Sequence, residues 1–258
     1  MVLELVFLTL LVIGLCALAY RGAVHEFQIL QKDFAEDNNW SELLSEELPL
    51  VIRGIPKMWA GAWNEKTTAK KTWQVVVKQD GRRYKTTWTN WLTSPDPKPQ
   101  PENIQEIATV ARLEHALSNW PADGLRRWSW LPPSTPHPYV FGTKDVQGVR
   151  KLTAEFTAIV ATDGTPLELW IAHEGAIPAN VSSDLIGKNP WEQTTEDIPW
   201  IGEVKFVEMK LRPGNAVLVP KHWWVAVRHS GGDGAAWFWT ADFHTPISWT
   251  ASKLKITT

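Results

Sequence analysis

Apolar and polar positions follow three different rhythms along this chain. Residues 2–20 are apolar except for Thr9, Gly14 and one charge, Glu4. A helix rises about 1.5 Å per residue, so this stretch spans roughly 28 Å, close to the roughly 30 Å hydrocarbon core of a bilayer. Between Asn103 and Trp120, Ile104, Ile107, Ala108, Ala111 and Leu117 recur at helical spacing, after Pro101 and before Pro121 and Gly124. A shorter helix is predicted over Asn39 to Ser45, and Leu50-Val-Ile52 reads as a short buried strand ending at Gly54. Trp73 to Lys78 and Tyr84 to Trp88 are β-rich runs around Asp80-Gly81, a hairpin signal.

From residue 152 onward the pattern is all strand. Glu155 to Val160 and Leu167 to Ala172 flank Asp163-Gly164, a second hairpin signal, and Leu167, Leu169 and Ile171 share one face. Val204 to Leu211 alternates, Pro213-Gly214 turns the chain into Ala216 to Val219, and Trp223 to Arg228 is expected to pair with Ala235 to Phe243 around Ser230-Gly-Gly-Asp-Gly234. Short strands joined by tight turns predict a sandwich or barrel. Helices cluster early, so the expectation is a mostly β jelly roll with a few N-terminal helices.

Composition sharpens this picture in a few places. The chain has 258 residues, long enough for one barrel domain with a substantial core. Net charge is -2 with Lys and Arg scattered, so no basic groove for nucleic acid is expected. The single cysteine, Cys16, allows neither an intrachain disulfide nor a Cys-based zinc site. Seventeen Trp stand against three Tyr. Such a bias serves either core packing or planar-ligand stacking, and their dispersal through strand-like runs favours packing. Ser94 to Pro101 alternates Pro with polar residues and predicts an extended surface connection over 94–102, not a domain boundary.

The apolar N-terminus predicts a single-pass anchor over 1–21, followed by one domain over 22–258. Tyr20-Arg21 supplies an interfacial aromatic and a cation at its edge. A cleaved signal peptide is the rival, since Ala17-Leu-Ala19 has the small-x-small form, but no Lys or Arg precedes the run. Arg21 and Lys32 after the run place the domain on the cytoplasmic side by the positive-inside rule. The sequons Asn39-Trp-Ser41 and Asn180-Val-Ser182 matter only for a lumenal domain.

Leu48-Pro-Leu-Val-Ile-Arg-Gly54, followed by Trp59 and Trp63, resembles an early strand of the cupin-like/JmjC family of double-stranded β-helix proteins. Leu211-Arg-Pro-Gly-Asn-Ala-Val-Leu-Val-Pro-Lys-His-Trp-Trp224 resembles that family's late Pro-Gly turn, strand and Trp-Trp pair. An anchored domain of this kind is also similar to cupin-like proteins of large DNA viruses. The resemblance implies a facial triad for Fe(II) and 2-oxoglutarate: a His-x-Asp/Glu pair just before Glu155 to Val160, and a distal His where Val225 stands. No His lies between His137 and His173, and valine has no lone pair to give a metal.

The expected function is therefore a membrane-anchored, catalytically degenerate binding or structural module, with no catalytic residue, no metal and no cofactor. Its partners are the membrane through residues 2–20 and a protein or glycan. One alternative is an oxygenase with a rearranged site built from His173, His222 and His244. Another is a glycan-binding module using Trp platforms. Candidate ligand-binding residues are Trp170, Trp223, Trp224 and Arg228, with Trp191 and Trp200 as further rings.

Overall fold

A computed structural model describes residues 28–35, 38–68, 73–79, 81–94, 101–121, 125, 134–177 and 182–253. The predicted anchor lies outside these residues, as does Asp80 of the first hairpin turn. Among the described residues no helix is long and apolar enough to cross a membrane.

The fold is rich in β structure, with its helices few and short. Twelve strands are described: β1 (Leu30–Asp33), β2 (Leu50–Arg53), β3 (Gln74–Gln79), β4 (Arg82–Thr87), β5 (His137–Phe141), β6 (Val146–Lys151), β7 (Phe156–Gly164), β8 (Leu167–His173), β9 (Val207–Leu211), β10 (Asn215–Pro220), β11 (Trp223–His229) and β12 (Ala236–Phe243). They form a six-stranded sheet in the order β1-β2-β10-β7-β12-β5, a four-stranded sheet in the order β6-β11-β8-β9, and the separate β3–β4 pair.

The β3–β4 hairpin forms as expected, in register from Gln74↔Thr87 to Gln79↔Arg82. The other two predicted hairpins do not form. β7 pairs with β10 and β12, while β8 pairs with β11 and β9, so the Asp163-Gly164 turn carries the chain from one sheet to the other. The Ser230–Gly234 turn likewise separates β11 from β12, and Pro213-Gly214 separates β9 from β10. Both edges of β7 and of β8 are already hydrogen-bonded to other strands, so the turns cross between layers instead of closing ladders. Gly214 sits at φ 81, where a side chain would strain the turn.

The predicted single helix from Asn103 to Trp120 is two helices, Ile104–Val110 and Leu113–Ser118. They break at Arg112, whose φ of 55 is left-handed. The strand expected from Val204 begins at Val207, because a 3-10 turn occupies Ile201–Glu203. Strand β5 was illegible because Pro136 precedes it and Pro138 falls within it. Pro138 is tolerated because β5 is an edge strand.

Three apolar clusters hold the layers. Between the sheets, Ile159, Val217, Val219 and Phe238 meet Leu167, Leu169, Ile171, Val225 and Val227. Outside the six-stranded sheet, the helical segments pack through Trp40, Trp59, Trp63, Trp88, Trp91 and Trp120 onto Trp237 and Trp239. Three of these indoles donate to backbone carbonyls: Trp63 to Tyr139, Trp120 to Trp59 and Trp239 to Ala60. Much of the tryptophan excess is thus core packing, each ring burying about 200 Å². Outside the four-stranded sheet, Trp224, Ala226 and Ala172 are covered by the connection from Ile177 to Phe206. Gly148 in β6 permits that cover, since a Cβ there would lie 2.2 Å from the Gly187 carbonyl oxygen.

Candidate functional site

Side-chain alternation decides which residues face the space between the sheets. On the six-stranded side, Tyr139, Ile159 and Phe238 point inward, so His137, Thr157, Thr240 and Asp242 do as well. On the four-stranded side, Arg150 stands directly across from Val225, and His173 directly across from Trp223. All six polar residues fall at one end, where β10 turns into β11. At the other end the same space is lined by Phe141, Leu167, Leu211 and Phe238. The interior is dry at one end and polar at its mouth.

The mouth is organised from the six-stranded side. The Thr157 hydroxyl donates to Asp242 Oδ1 at 2.6 Å, and both residues are held by the β7–β12 ladder. Asp242 N donates to Ser134 Oγ at 2.7 Å, and Ser134 N donates back to the Asp242 carbonyl. His137 has its pKa lowered, chiefly because burial disfavours the imidazolium. The carboxylate of Asp242 opposes that shift, and the guanidinium of Arg150 adds to it. His137 therefore lies within the fields of both groups and is neutral at pH 7.

Arg150 is treated differently. Its Nε and Nη2 are buried and meet no hydrogen-bond partner among the described residues. Gln147, one turn of the pleat deeper on β6 and opposite Val227, donates to the Tyr139 hydroxyl at 3.4 Å, while its Oε1 is buried without a partner. A buried polar atom without a partner costs about 1–3 kcal/mol, and more when charged. Such atoms are uncommon in folded proteins, and each calls for a partner such as a water, an ion or a ligand.

Of the anticipated ligand-binding residues, Trp170, Trp224 and Arg228 share the outer face of the four-stranded sheet, and Trp223 lies on its inner face. Trp223 and Trp224, 3% and 1% exposed, lie on opposite faces of β11, so neither offers a platform to a ligand. Trp223 packs edge-on to His173 with centroids 5.3 Å apart. Trp170 and Arg228 lie on the outer face with Trp224. There Trp170 is half-buried, 5.0 Å from both Trp191 and Phe206, and tilted 41° from Trp191, so the rings do not form a coplanar pair. The buried Nε1 atoms of Trp170, Trp191 and Trp224 meet no partner among the described residues. Arg228 is paired: Nε and Nη2 bind Glu168 Oε2 at 2.8 and 2.6 Å, and its guanidinium lies 4.5 Å over the Trp191 ring. Burial raises the Glu168 pKa, but hydrogen bonds from Arg228 and Lys210 outweigh it and the net shift is downward.

His173, His222 and His244 serve three separate settings. His173 Nδ1 accepts from Gly175 N. His222, held at φ 67 in the β10–β11 turn, bonds Glu174 at 3.1 Å, and Glu174 also receives Lys151 at 2.6 Å. His244 follows β12 and bonds Ser248. Among the described residues no group of three His, Cys, Asp or Glu side chains is placed to hold a metal ion. No protein-family model and no curated protein matches the chain.

Reading the sequence missed β5 and β6, and with them His137, Gln147 and Arg150. The one available signal was the alternation of Gln147 and Arg150 with Val146 and Val149, obscured by Gly148.

Proposed function

We propose that the domain is a cupin/JmjC-like double-stranded β-helix, a jelly roll, that has lost the iron chemistry of that family and works as a binding module. The strand orders support the fold: β5, β7, β10 and β12 lie in one sheet, and β6, β8, β9 and β11 in the other. One observation carries the functional reading. Across the β6–β11 ladder at the mouth, Val225 faces Arg150. Where the family resemblance expects a lone pair, there is a hydrocarbon, and its neighbour projects a cation that repels a metal ion. The donor set there does not fit an Fe(II) facial triad.

Residues 2–20 tether the module to a membrane as a single span, on the length and flanks of that apolar run. The domain faces the cytoplasm, on the cations that follow the span.

The full chain in detergent micelles, supplied with Fe(II) and 2-oxoglutarate, is the test. The reading predicts sub-stoichiometric iron and no 2-oxoglutarate consumption above a protein-free control. Stoichiometric iron with turnover contradicts it.

A further inference from the structure

We propose that the mouth between the sheets takes a small hydroxylated oxyanion, its two oxygens on the Nε–Nη2 edge of Arg150 and its hydroxyl donating to Gln147 Oε1. This deepens the proposed function and rests on the mouth being a binding site, not an iron centre.

Nε–H and Nη2–H of a guanidinium point the same way and match the two oxygens of a carboxylate or phosphate. Arg228 shows the same edge in use, because its Nε and Nη2 both meet Glu168 Oε2, at 2.8 and 2.6 Å. On the opposite face of the same sheet, the corresponding atoms of Arg150 are buried and meet no acceptor among the described residues. Among the described residues, none of the ion pairs formed by acidic side chains reaches Arg150. Asp242 is engaged by Thr157, and Glu168 and Glu174 are committed to Arg228 with Lys210 and to Lys151 with His222.

A second orphan points to the same ligand. Gln147 Oε1 is an acceptor, so its partner must donate. Both Gln147 and Arg150 lie on β6 with side chains on the inner face, because they pair with Val227 and Val225, both members of the inter-sheet core. A ligand that satisfies both atoms carries negative charge at one end and a hydroxyl at the other. The Gln147 and Tyr139 contact fixes the deep end. The shallow end lies near His137, which is neutral at pH 7 and does not compete with the guanidinium for the anion. A carboxylate and a phosphate share this recognition chemistry, and the probes below separate them.

The test is a thermal-unfolding and calorimetric titration of the full chain in detergent micelles. The probes are sodium lactate, sodium acetate and inorganic phosphate, each against sodium chloride at equal ionic strength. Lactate is expected to raise Tm and to bind more tightly than acetate, since only lactate offers a hydroxyl to Gln147. A larger rise with phosphate than with lactate assigns the site to a phosphate-bearing ligand and supports the same edge. Arg150→Met is expected to abolish the rise and to weaken binding about tenfold or more, in line with the loss of charge-assisted hydrogen bonds. Arg150→Lys keeps the charge but not the fork and is expected to fall between. It also serves where the methionine variant does not fold. No rise beyond chloride with any probe, or an undiminished rise in both variants, overturns the inference. Iron-dependent 2-oxoglutarate turnover removes the underlying reading instead, and anion binding remains separately measurable in the same sample.

Discussion

The two faces of the four-stranded sheet each carry one arginine, and the two are handled in opposite ways. On the outer face, Arg228 sits across from Glu168 in the β11–β8 register, and Lys210 sits across from Glu168 on the other side. Sheet geometry alone brings the charges together, and the Trp191 ring covers the guanidinium. On the inner face, Arg150 is opposite Val225, and the row runs on to Ile171 and Val207. An arginine placed in a row of hydrocarbons has no cross-strand partner available. The outer arginine closes a surface under a covering loop, whereas the inner one is left with bonding capacity at the polar end of the core. The same residue type thus has a structural use in one place and, in our account, a binding use in the other.

Removing Glu168 should have the largest effect on this comparison. Glu168→Ala leaves Arg228 under its cover with only Glu208, 4.0 Å away, as a counter-charge. The expected cost is about 2–3 kcal/mol, below the roughly 3–5 of a fully buried pair because Arg228 keeps a third of its side chain in solvent. Chemical denaturation checks it, and an unchanged midpoint would erase the distinction between the faces.

Arg150→Met should move stability the other way. Replacing an unpaired buried charge by a side chain of similar shape is expected to stabilise the unliganded chain by about 1 kcal/mol. A clear loss of stability in urea would show that Arg150 has a structural partner after all.

Acidification should separate the faces by pH. His137 has a lowered folded pKa, so between that value and the unfolded value of about 6.5 the unfolded chain binds the extra proton. Stability therefore falls as pH drops below the unfolded value, until the folded pKa is passed. Glu168 also has a lowered folded pKa, but its contribution is complete above the unfolded carboxyl range near 4.5 and is lost only as pH falls further. His137→Gln is expected to remove the first loss and leave the second. A Tm profile in which both losses survive His137→Gln would assign the first to another group.

The smallest difference concerns indoles. Trp239 donates to the Ala60 carbonyl at 2.8 Å, whereas Trp224 Nε1 is buried without a partner. Both rings are buried, so Trp→Phe removes similar packing at each. Trp239→Phe should cost about 1 kcal/mol more, the worth of one hydrogen bond and its orphaned acceptor. Equal costs would mean that the Trp224 N–H is bonded in solution.

Much of the β pattern was legible, because β7, β8, β10 and β12 are long runs of branched and aromatic residues bounded by Gly turns. Their pairing was not. A tight turn between two strands looks the same in sequence whether it closes a ladder or crosses between layers, and β7 is buried on both faces, so alternation could not assign it. The Trp-Trp pair marked β11 correctly but misdirected the site, since adjacent residues on a strand point to opposite faces. Val225 was the informative position, yet its meaning depends on Arg150, a residue 75 positions away that only the β6–β11 register brings opposite it. The histidines attracted attention by residue type, whereas the mouth is defined by an arginine and a glutamine whose significance lies in bonds they do not make.

The measurement closest to the central claim is an NMR titration of arginine Nε–H signals in the full chain in micelles, with Arg150→Lys and Arg228→Lys to assign them. The account predicts that the Arg228 signal is indifferent to added lactate or phosphate, while the Arg150 signal shifts as the anion is added. An Arg150 signal that does not move with either anion would contradict the account.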